Sequence, residues 1–490
     1  MKPLSSPLAV TGLSLSLAIA ALALHPNAAL ATRQAATQDA RPEANLEARL
    51  QARFGELAEA GFTGFATISR HGEIVFAQGA GLADPSTGRP FTLDTQFDIG
   101  SITKSFTGMA IAALIDAGRL SPDASLADFF PDVPADKAAI TVQQLLTHTA
   151  GLPDAVGDDF SDEGWASVRD KAFAAELRHE PGSAYRYSNV GFTVLAAIIE
   201  VVTGQSYEDY LVEEILAPAG IGHTGYMAVY DDAHAARNRQ GEAVIDASWG
   251  GHAPNWNLIG NGGLVSTPRD MLAWQAGYQA GTLVSPQARD LAHAPLVREG
   301  DGAPSFYGYG MVVEDDAELG RIYWHNGGNP SFNSHWRVLA DQGYELFATT
   351  NQRGISADTA IAALVAELMD QDFQVQHPRE ASIDPVALPD TDGGRAAGEF
   401  LAMIASDDES VWRDYVLTRM SEAMRAVAPM EGHLGMMRQL HRDFGQSDVV
   451  AVFEAETAIT LSVRDPQSGE TIPVMIEYDA DGQVTGLMIG

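Results

Sequence analysis

Apolar residues recur along this chain at two periods. Between Glu43 and Ala60, Leu46, Leu50, Phe54 and Leu57 share one face, which predicts an amphipathic helix. Phe62 to Ser69 and Ile74 to Gln78 read as strands, joined at His71-Gly72 by a hairpin turn. A second helix begins at Gly100-Ser101. It continues through Phe106, Met109, Ala110, Ala113 and Leu114 and ends at Ala117-Gly118. From Asp123 to Gly310 the pattern is helix and loop, rich in Gly, Pro and Asp, without a repeated strand signal. Strands return at Ile322 to Trp324, Phe332 to Leu339 and Tyr344 to Thr350. Gly327-Gly328-Asn329-Pro330 and Asp341-Gln342-Gly343 form the turns between them, and a helix over Ala357 to Met369 follows.

The order is helix, two strands, a long helical insertion, three strands, helix. It predicts a mixed α/β fold of the α+β kind: one five-stranded antiparallel sheet flanked by helices, with the insertion as a helical lobe. A cleft is expected between sheet and lobe, where ligand sites tend to lie. This part is assigned to residues 43–372. Residues 373–392, around Gln376-His377-Pro378, read as a linker. Residues 393–490 predict a small C-terminal α+β accessory domain. Its helices fall at Gly393 to Ala405, Glu409 to Val416 and Met436 to Phe444. Its strands fall at Val449 to Phe453, Thr460 to Val463, Ile472 to Tyr478 and Val484 to Met488. It carries no visible catalytic constellation.

Composition narrows the chemistry. The 490 residues carry a formal charge of −35, which repels phosphate backbones and anionic lipid, so neither nucleic acid nor a membrane surface is an expected partner. Without cysteine, disulfides, thiolate zinc sites, iron–sulfur clusters and cysteine nucleophiles are excluded. There is no H-E-x-x-H pair, phosphate loop or G-x-S-x-G elbow, and no metal or cofactor is expected. Lys2, the apolar run from Leu8 to Leu24 and Ala29-Leu30-Ala31 read as a secretory signal peptide, 1–31, so a periplasmic or secreted location is expected.

Lysine is scarce: Lys2, Lys104, Lys137 and Lys171 are four of 30 basic residues. Lys104 stands three positions after Ser101, on the same helix face. A desolvated lysine can give up its proton near neutral pH, whereas arginine cannot. Ser101 at a helix start also sits where backbone N–H groups favour developing negative charge. Two later stretches stand out, Tyr187-Ser188-Asn189 and His325-Asn326-Gly327-Gly328.

These motifs, S-x-x-K, Y-x-N and H-x-G in that order, resemble the penicillin-recognising serine hydrolases. The group is that of class C β-lactamases, D,D-peptidases and family VIII-type esterases. Leu145-Leu146-Thr147-His148-Thr149-Ala150-Gly151-Leu152-Pro153 and Asn261-Gly262-Gly263-Leu264-Val265-Ser266-Thr267 look like this group too, and the resemblance spans roughly Glu43 to Asp370. It implies a β-lactamase/D,D-peptidase fold and an acyl-enzyme on Ser101. Lys104 or Tyr187 would take the serine proton. A charged Lys104 and a cationic His325 would lower the Tyr187 pKa. Asn189 would hold Lys104 or a substrate amide. The N–H groups of Ser101 and Gly328 would form the oxyanion hole, with Gly327 and Gly328 allowing close backbone approach. Most β-lactamases of this lineage carry lysine where His325 stands, so a weaker hold on a substrate carboxylate is expected. That favours an ester or peptide substrate over a β-lactam. A true β-lactamase and a non-catalytic penicillin-binding-like sensor or scaffold are the alternatives. His148 reads as a loop brace, Trp256, Tyr307 and Trp336 as core in preference to cleft lining, and Asp158, Asp159, Asp162 and Glu163 as a solvated loop.

Overall fold

A computed structural model describes residues 46–489 apart from 301, 353, 376–385, 390, 428, 446, 455–457, 465–470 and 480–481. The expected leader, 1–31, and part of the expected linker lie outside the described residues. Leu50–Gly490 forms one compact unit. Within it, one hydrophobic core runs from Phe65 to Phe347 and a second from Ala396 to Val484.

The helix α1 (46–59) places Leu50, Phe54 and Leu57 at 0 % exposure, as its spacing predicts. Strands β1 (Gly64–Arg70) and β2 (Glu73–Ala80) form the expected hairpin. Its turn residues His71 and Gly72 have φ of 51° and 82°, the left-handed geometry that matches strand twist. After the helical region come β3 (Val297–Arg298), β4 (Ser305–Tyr307), β5 (Val312–Asp316), β6 (Gly320–Gly328), β7 (Asn333–Leu339) and β8 (Tyr344–Thr350). The sheet order is β2-β1-β8-β7-β6-β5-β4-β3, antiparallel throughout. It therefore has eight strands where the hydrophobic pattern predicted five. The three additions, two to five residues long, are too short to display a period of two, and Gly308 and Gly310 interrupt them.

Three helices position the site. The helix α2 (Thr103–Asp116) follows a single 3₁₀ turn at Gly100–Ile102 and is buried from Thr103 to Ala112. The helix α3 (Asn189–Thr203) is buried from Val190 to Ile199. Trp274 of α4 (Pro268–Ala280) stacks on Phe106 of α2 at 4.5 Å and meets Trp336 of β7 edge-on at 5.2 Å, joining lobe to sheet. Trp336 is thus core, as expected. A further helix, α5 (Ala357–Leu368), packs on β7 and β8. Among the described residues no single helix is long and apolar enough to cross a membrane.

The second core lies between helices and a four-stranded antiparallel sheet, Asp448–Glu454, Ala458–Arg464, Thr471–Tyr478 and Val484–Ile489, in chain order. In Ala458–Arg464 the buried residues Ile459, Leu461 and Val463 alternate with half-exposed ones, so one sheet face is covered. The helices are Asp392–Ala405, Glu409–Thr418, Glu422–Ala426 and Met430–Phe444, the last beginning earlier than its apolar pattern suggested.

Buried histidines make this fold acid-sensitive. His293 is 7 % exposed, stacks on Tyr323 at 3.9 Å, and burial pushes its pKa down to about 3. The folded state keeps it neutral while an unfolded chain protonates it below about pH 6.5. Stability is therefore complete above that pH and is lost as pH falls towards 3. His293→Phe should leave the unfolding free energy at pH 7 nearly unchanged and raise it by roughly 2 kcal/mol at pH 4.5. Urea melts of both proteins at the two pH values check this, and an equal gain at both would show that protonation is not the cause.

Candidate active site

The site is built on a strained turn. Gly100 has φ of 53°, a left-handed conformation that a side chain would resist. A Cβ placed on Gly100 would lie 2.4 Å from the Gly328 nitrogen, and one on Gly327 would lie 2.6 Å from the Ser101 nitrogen. Glycine at both positions therefore lets the end of β6 lie directly against the Ser101 turn. Asp98, 3 % exposed, ties the two together. Its Oδ1 accepts from the Gly100 N–H at 2.7 Å and its Oδ2 from Asn329 Nδ2 at 2.7 Å. Burial raises its pKa.

Lys104 lies one turn into the helical segment at 0 % exposure. Its Nζ donates to Ser101 Oγ at 3.0 Å, Asn189 Oδ1 at 2.6 Å and the Asn261 carbonyl at 2.7 Å. All three acceptors are neutral. Desolvation lowers the Lys104 pKa to about 7, against a pull upward from Asp154 and Asp159.

The Tyr187–Asn189 segment enters α3. Ser188 caps that helix, accepting from the Gly191 N–H at 3.1 Å and donating to the Pro153 carbonyl at 2.7 Å. Asn189, the first residue of the helix, spans two partners: its Oδ1 accepts a hydrogen bond from Lys104 Nζ and its Nδ2 donates to Asp154 Oδ1 at 3.0 Å. Of the two roles expected for Asn189, the geometry places it on Lys104. The Tyr187 ring lies 4.7 Å from Lys104 Nζ. Burial raises the Tyr187 pKa above its usual value, and a hydrogen bond with Ser101 opposes this only in part. The expectation of a lowered Tyr187 pKa is thus corrected: desolvation of the phenolate outweighs the Ser101 hydrogen bond, and Asp154 and Glu299 push the same way.

His325 is corrected as well. It is 4 % exposed, and its Nε2 lies 2.9 Å from the Tyr307 hydroxyl while Nδ1 contacts the Asn326 carbonyl. A carbonyl only accepts, so Nδ1 carries the proton and Nε2 accepts from Tyr307. Burial, then the Lys104 charge, lowers the His325 pKa to about 3. It is neutral at physiological pH, with both nitrogens engaged, and offers no cation to a substrate carboxylate. Tyr307, 1 % exposed, is core as expected and also the partner that fixes this histidine.

A cavity of about 100 Å³ opens in front of Ser101, walled by Asp98, Asn189, Asn261, Gly328 and Asp159, among others. A second, of about 370 Å³, shares Asp159, Phe160, Asn189 and Pro330 with it and adds Asp154 and Asp158. Among the described residues the two walls contain four aspartates and no lysine, arginine or histidine. Asp158 and Asp159 are exposed, as a solvated loop requires, yet they also form the cleft rim. Desolvation by the surrounding walls, then Asp158 and Asp98, raise the Asp159 pKa to about 6. Glu163, by contrast, pairs with Lys171 outside the cleft. Trp256 packs against Trp165 at 5.0 Å with the rings tilted, which makes it packing.

Sequence reasoning overlooked Asp98, Asp154 and the Asn261 carbonyl. Asp98 had a legible signal, a carboxylate two residues before a glycine at a helix start. The other two act through contacts that no local pattern reveals.

The arrangement is that of a serine hydrolase: a hydroxyl at a helix start, a depressed amine within hydrogen-bond reach, and glycine backbone on the opposite side. A family model described as Beta-lactamase matches residues 44–369, and the chain belongs to that family. Penicillin-binding protein 4* of Bacillus subtilis (strain 168) is 28% identical over 298 residues, 56% of this chain and 64% of that one. Esterase EstB of Burkholderia gladioli is 30% identical over 197 residues, 36% of this chain and 50% of that one. The match thus spans less than two thirds of either relative. Among solved structures, a D-amino acid amidase from Ochrobactrum anthropi SV3 aligns with a TM-score of 0.57 at 23% identity, covering 66% of this chain and 99% of that one. An octameric penicillin-binding protein homologue from Pyrococcus abyssi aligns at 0.56 and 20% identity, covering 90% of this chain and 99% of that one. The chain has the β-lactamase/D,D-peptidase fold, as its motifs implied.

A buried amine that functions as an amine costs stability. An unfolded Lys104 would titrate near 10.5, so the folded state binds fewer protons between pH 7 and 10.5, and stability rises with pH across that window. Lys104→Met removes the penalty, roughly 3–5 kcal/mol below pH 7, but leaves three oxygens without their donor, at about 1 kcal/mol or more each. The variant should be at least as stable as wild type at pH 6, with the advantage shrinking towards pH 10. Denaturant melts at both values test this; an advantage that does not shrink with pH would mean that Lys104 stays charged in the fold.

Proposed function

We propose that this chain is an exported serine hydrolase that acylates Ser101 with ester or amide substrates lacking a carboxylate near the scissile bond. One observation carries the reading: Lys104, desolvated to a pKa of about 7, stands 3.0 Å from Ser101 Oγ. A base titrating near the working pH is suited to this transfer, and Tyr187, shifted in the other direction, is not. Lys104 takes the Ser101 proton as Oγ bonds to the substrate carbonyl carbon. The resulting oxyanion is held by the N–H groups of Ser101 and Gly328. As the tetrahedral intermediate collapses and the bond to the leaving group breaks, Tyr187, a neutral phenol, gives its proton to the leaving alcohol or amine and takes back the one held on Lys104. Water then attacks the acyl carbon with Lys104, neutral again, taking its proton; the bond to Oγ breaks, Ser101 Oγ recovers that proton from Lys104, and the acid departs. Export rests on the apolar run from Leu8 to Leu24 and the small residues Ala29 and Ala31.

A fluorophosphonate should label Ser101 once per chain, detected by intact mass. Ser101→Ala should lose that label and on the order of 10³-fold or more in kcat on nitrophenyl butyrate. In wild type, kcat/KM should rise with pH through about 7 as Lys104 loses its proton. Lys104→Arg should not restore activity, because a guanidinium keeps its proton. Activity surviving in Ser101→Ala would refute the nucleophile.

The anionic cleft walls support the substrate class. Nitrophenyl esters whose acyl chains end in a carboxylate, a methyl or an ammonium group separate it. The carboxylate ester should react about fivefold or more slowly than the neutral one at low salt, a gap that narrows as salt is added. Penicillin should likewise acylate poorly. A faster carboxylate ester would turn the reading towards β-lactamase or carboxypeptidase.

A further inference from the structure

The Tyr187 segment is held by one residue that the reaction scheme does not use. The His148 carbonyl accepts the Arg186 N–H at 2.8 Å, and His148 Nδ1 accepts the Ser188 N–H at 3.1 Å. A single residue thus binds the backbone on both sides of Tyr187. Its ring packs on Tyr187 at 4.3 Å, Tyr307 at 4.5 Å and Phe192 at 5.1 Å. Through Tyr307 it reaches His325 at the end of β6. His148 is 1 % exposed and has φ of 57°, a conformation that non-glycine residues seldom adopt. Its Nε2 has no hydrogen-bond partner. Packing alone would be met by phenylalanine, without an unpaired nitrogen. What a histidine adds is the acceptor for the Ser188 N–H, which is otherwise buried and unsatisfied.

We propose that His148 is a positioning residue: it fixes Tyr187 for proton transfer at Ser101 by bonding the backbone on both sides and packing on its ring. This rests on the reading that Ser101 is the nucleophile. Burial and the charge of Lys104 keep His148 neutral, so Nδ1 remains an acceptor. Displacement of a proton-relay group by a fraction of an ångström to an ångström is enough to slow a reaction by up to about a hundredfold.

The test is a double-mutant cycle on nitrophenyl butyrate, with kcat expressed per fluorophosphonate-titratable site. His148→Phe keeps ring bulk and removes the acceptor. His148→Asn keeps an acceptor near the Nδ1 position and tolerates positive φ. We expect His148→Phe to lower kcat ten- to hundredfold with KM within about twofold, and His148→Asn to retain several times more activity. Because His148 acts through Tyr187, His148→Phe should cost less than twofold in a Tyr187→Phe background. An equal loss in both backgrounds, or a fall in titratable sites with kcat per site unchanged, would overturn the proposal. Should His148→Phe not fold, the same cycle with His148→Asn answers it: its smaller loss must vanish beside Tyr187→Phe. Ser101→Ala is the control, since activity there would sink the nucleophile reading instead.

Discussion

The site is organised around an amine kept out of water. Lys104 Nζ meets three neutral oxygens, one each from the Ser101 turn, the start of α3 and the Asn261 loop. A direct carboxylate partner would raise its pKa and leave it permanently charged. Full burial with neutral acceptors does the opposite and brings it to about 7. The nearest acids act at one remove: Asp154 binds Asn189, and Asn189 binds the amine. The lobe helices that bury Lys104 are thus part of its chemistry as well as of the fold.

A second constraint is the backbone contact between the end of β6 and the Ser101 turn. It is possible only because Gly100 and Gly327 lack side chains, and Asp98 holds both partners in place. Ser101 and Gly328 both line the cavity that results. A contact between one helix start and one strand end requires the sheet and the lobe to be docked together. The Phe106–Trp274–Trp336 stack provides that docking away from the cleft.

Two charge effects underlie the substrate class proposed for this chain. His325 is absorbed into the Tyr307 pair and stays neutral, while four aspartates line the walls. Both are features of burial and placement more than of residue type. Histidine at that strand position would act as a pH-sensitive cation in an exposed setting. Enclosed as it is, it behaves as a polar spacer between β4 and β6.

The sequence alone was sufficient for what is local. The Ser101–Lys104 pair follows from a three-residue spacing on a helix. The β1–β2 hairpin follows from alternation and a His-Gly turn, and the terminal strands and helices from their periods. The second α+β core was legible in the same way, because Ile459, Leu461 and Val463 alternate. Nothing local announced the three edge strands, which are too short for a period. Nor did it announce the Asn261 carbonyl, 157 residues from the lysine that it accepts from. The ionisation of Lys104, Tyr187 and His325 lay beyond it too. A pKa depends on how much water a group loses and which charges surround it, and both are set only when distant segments pack together.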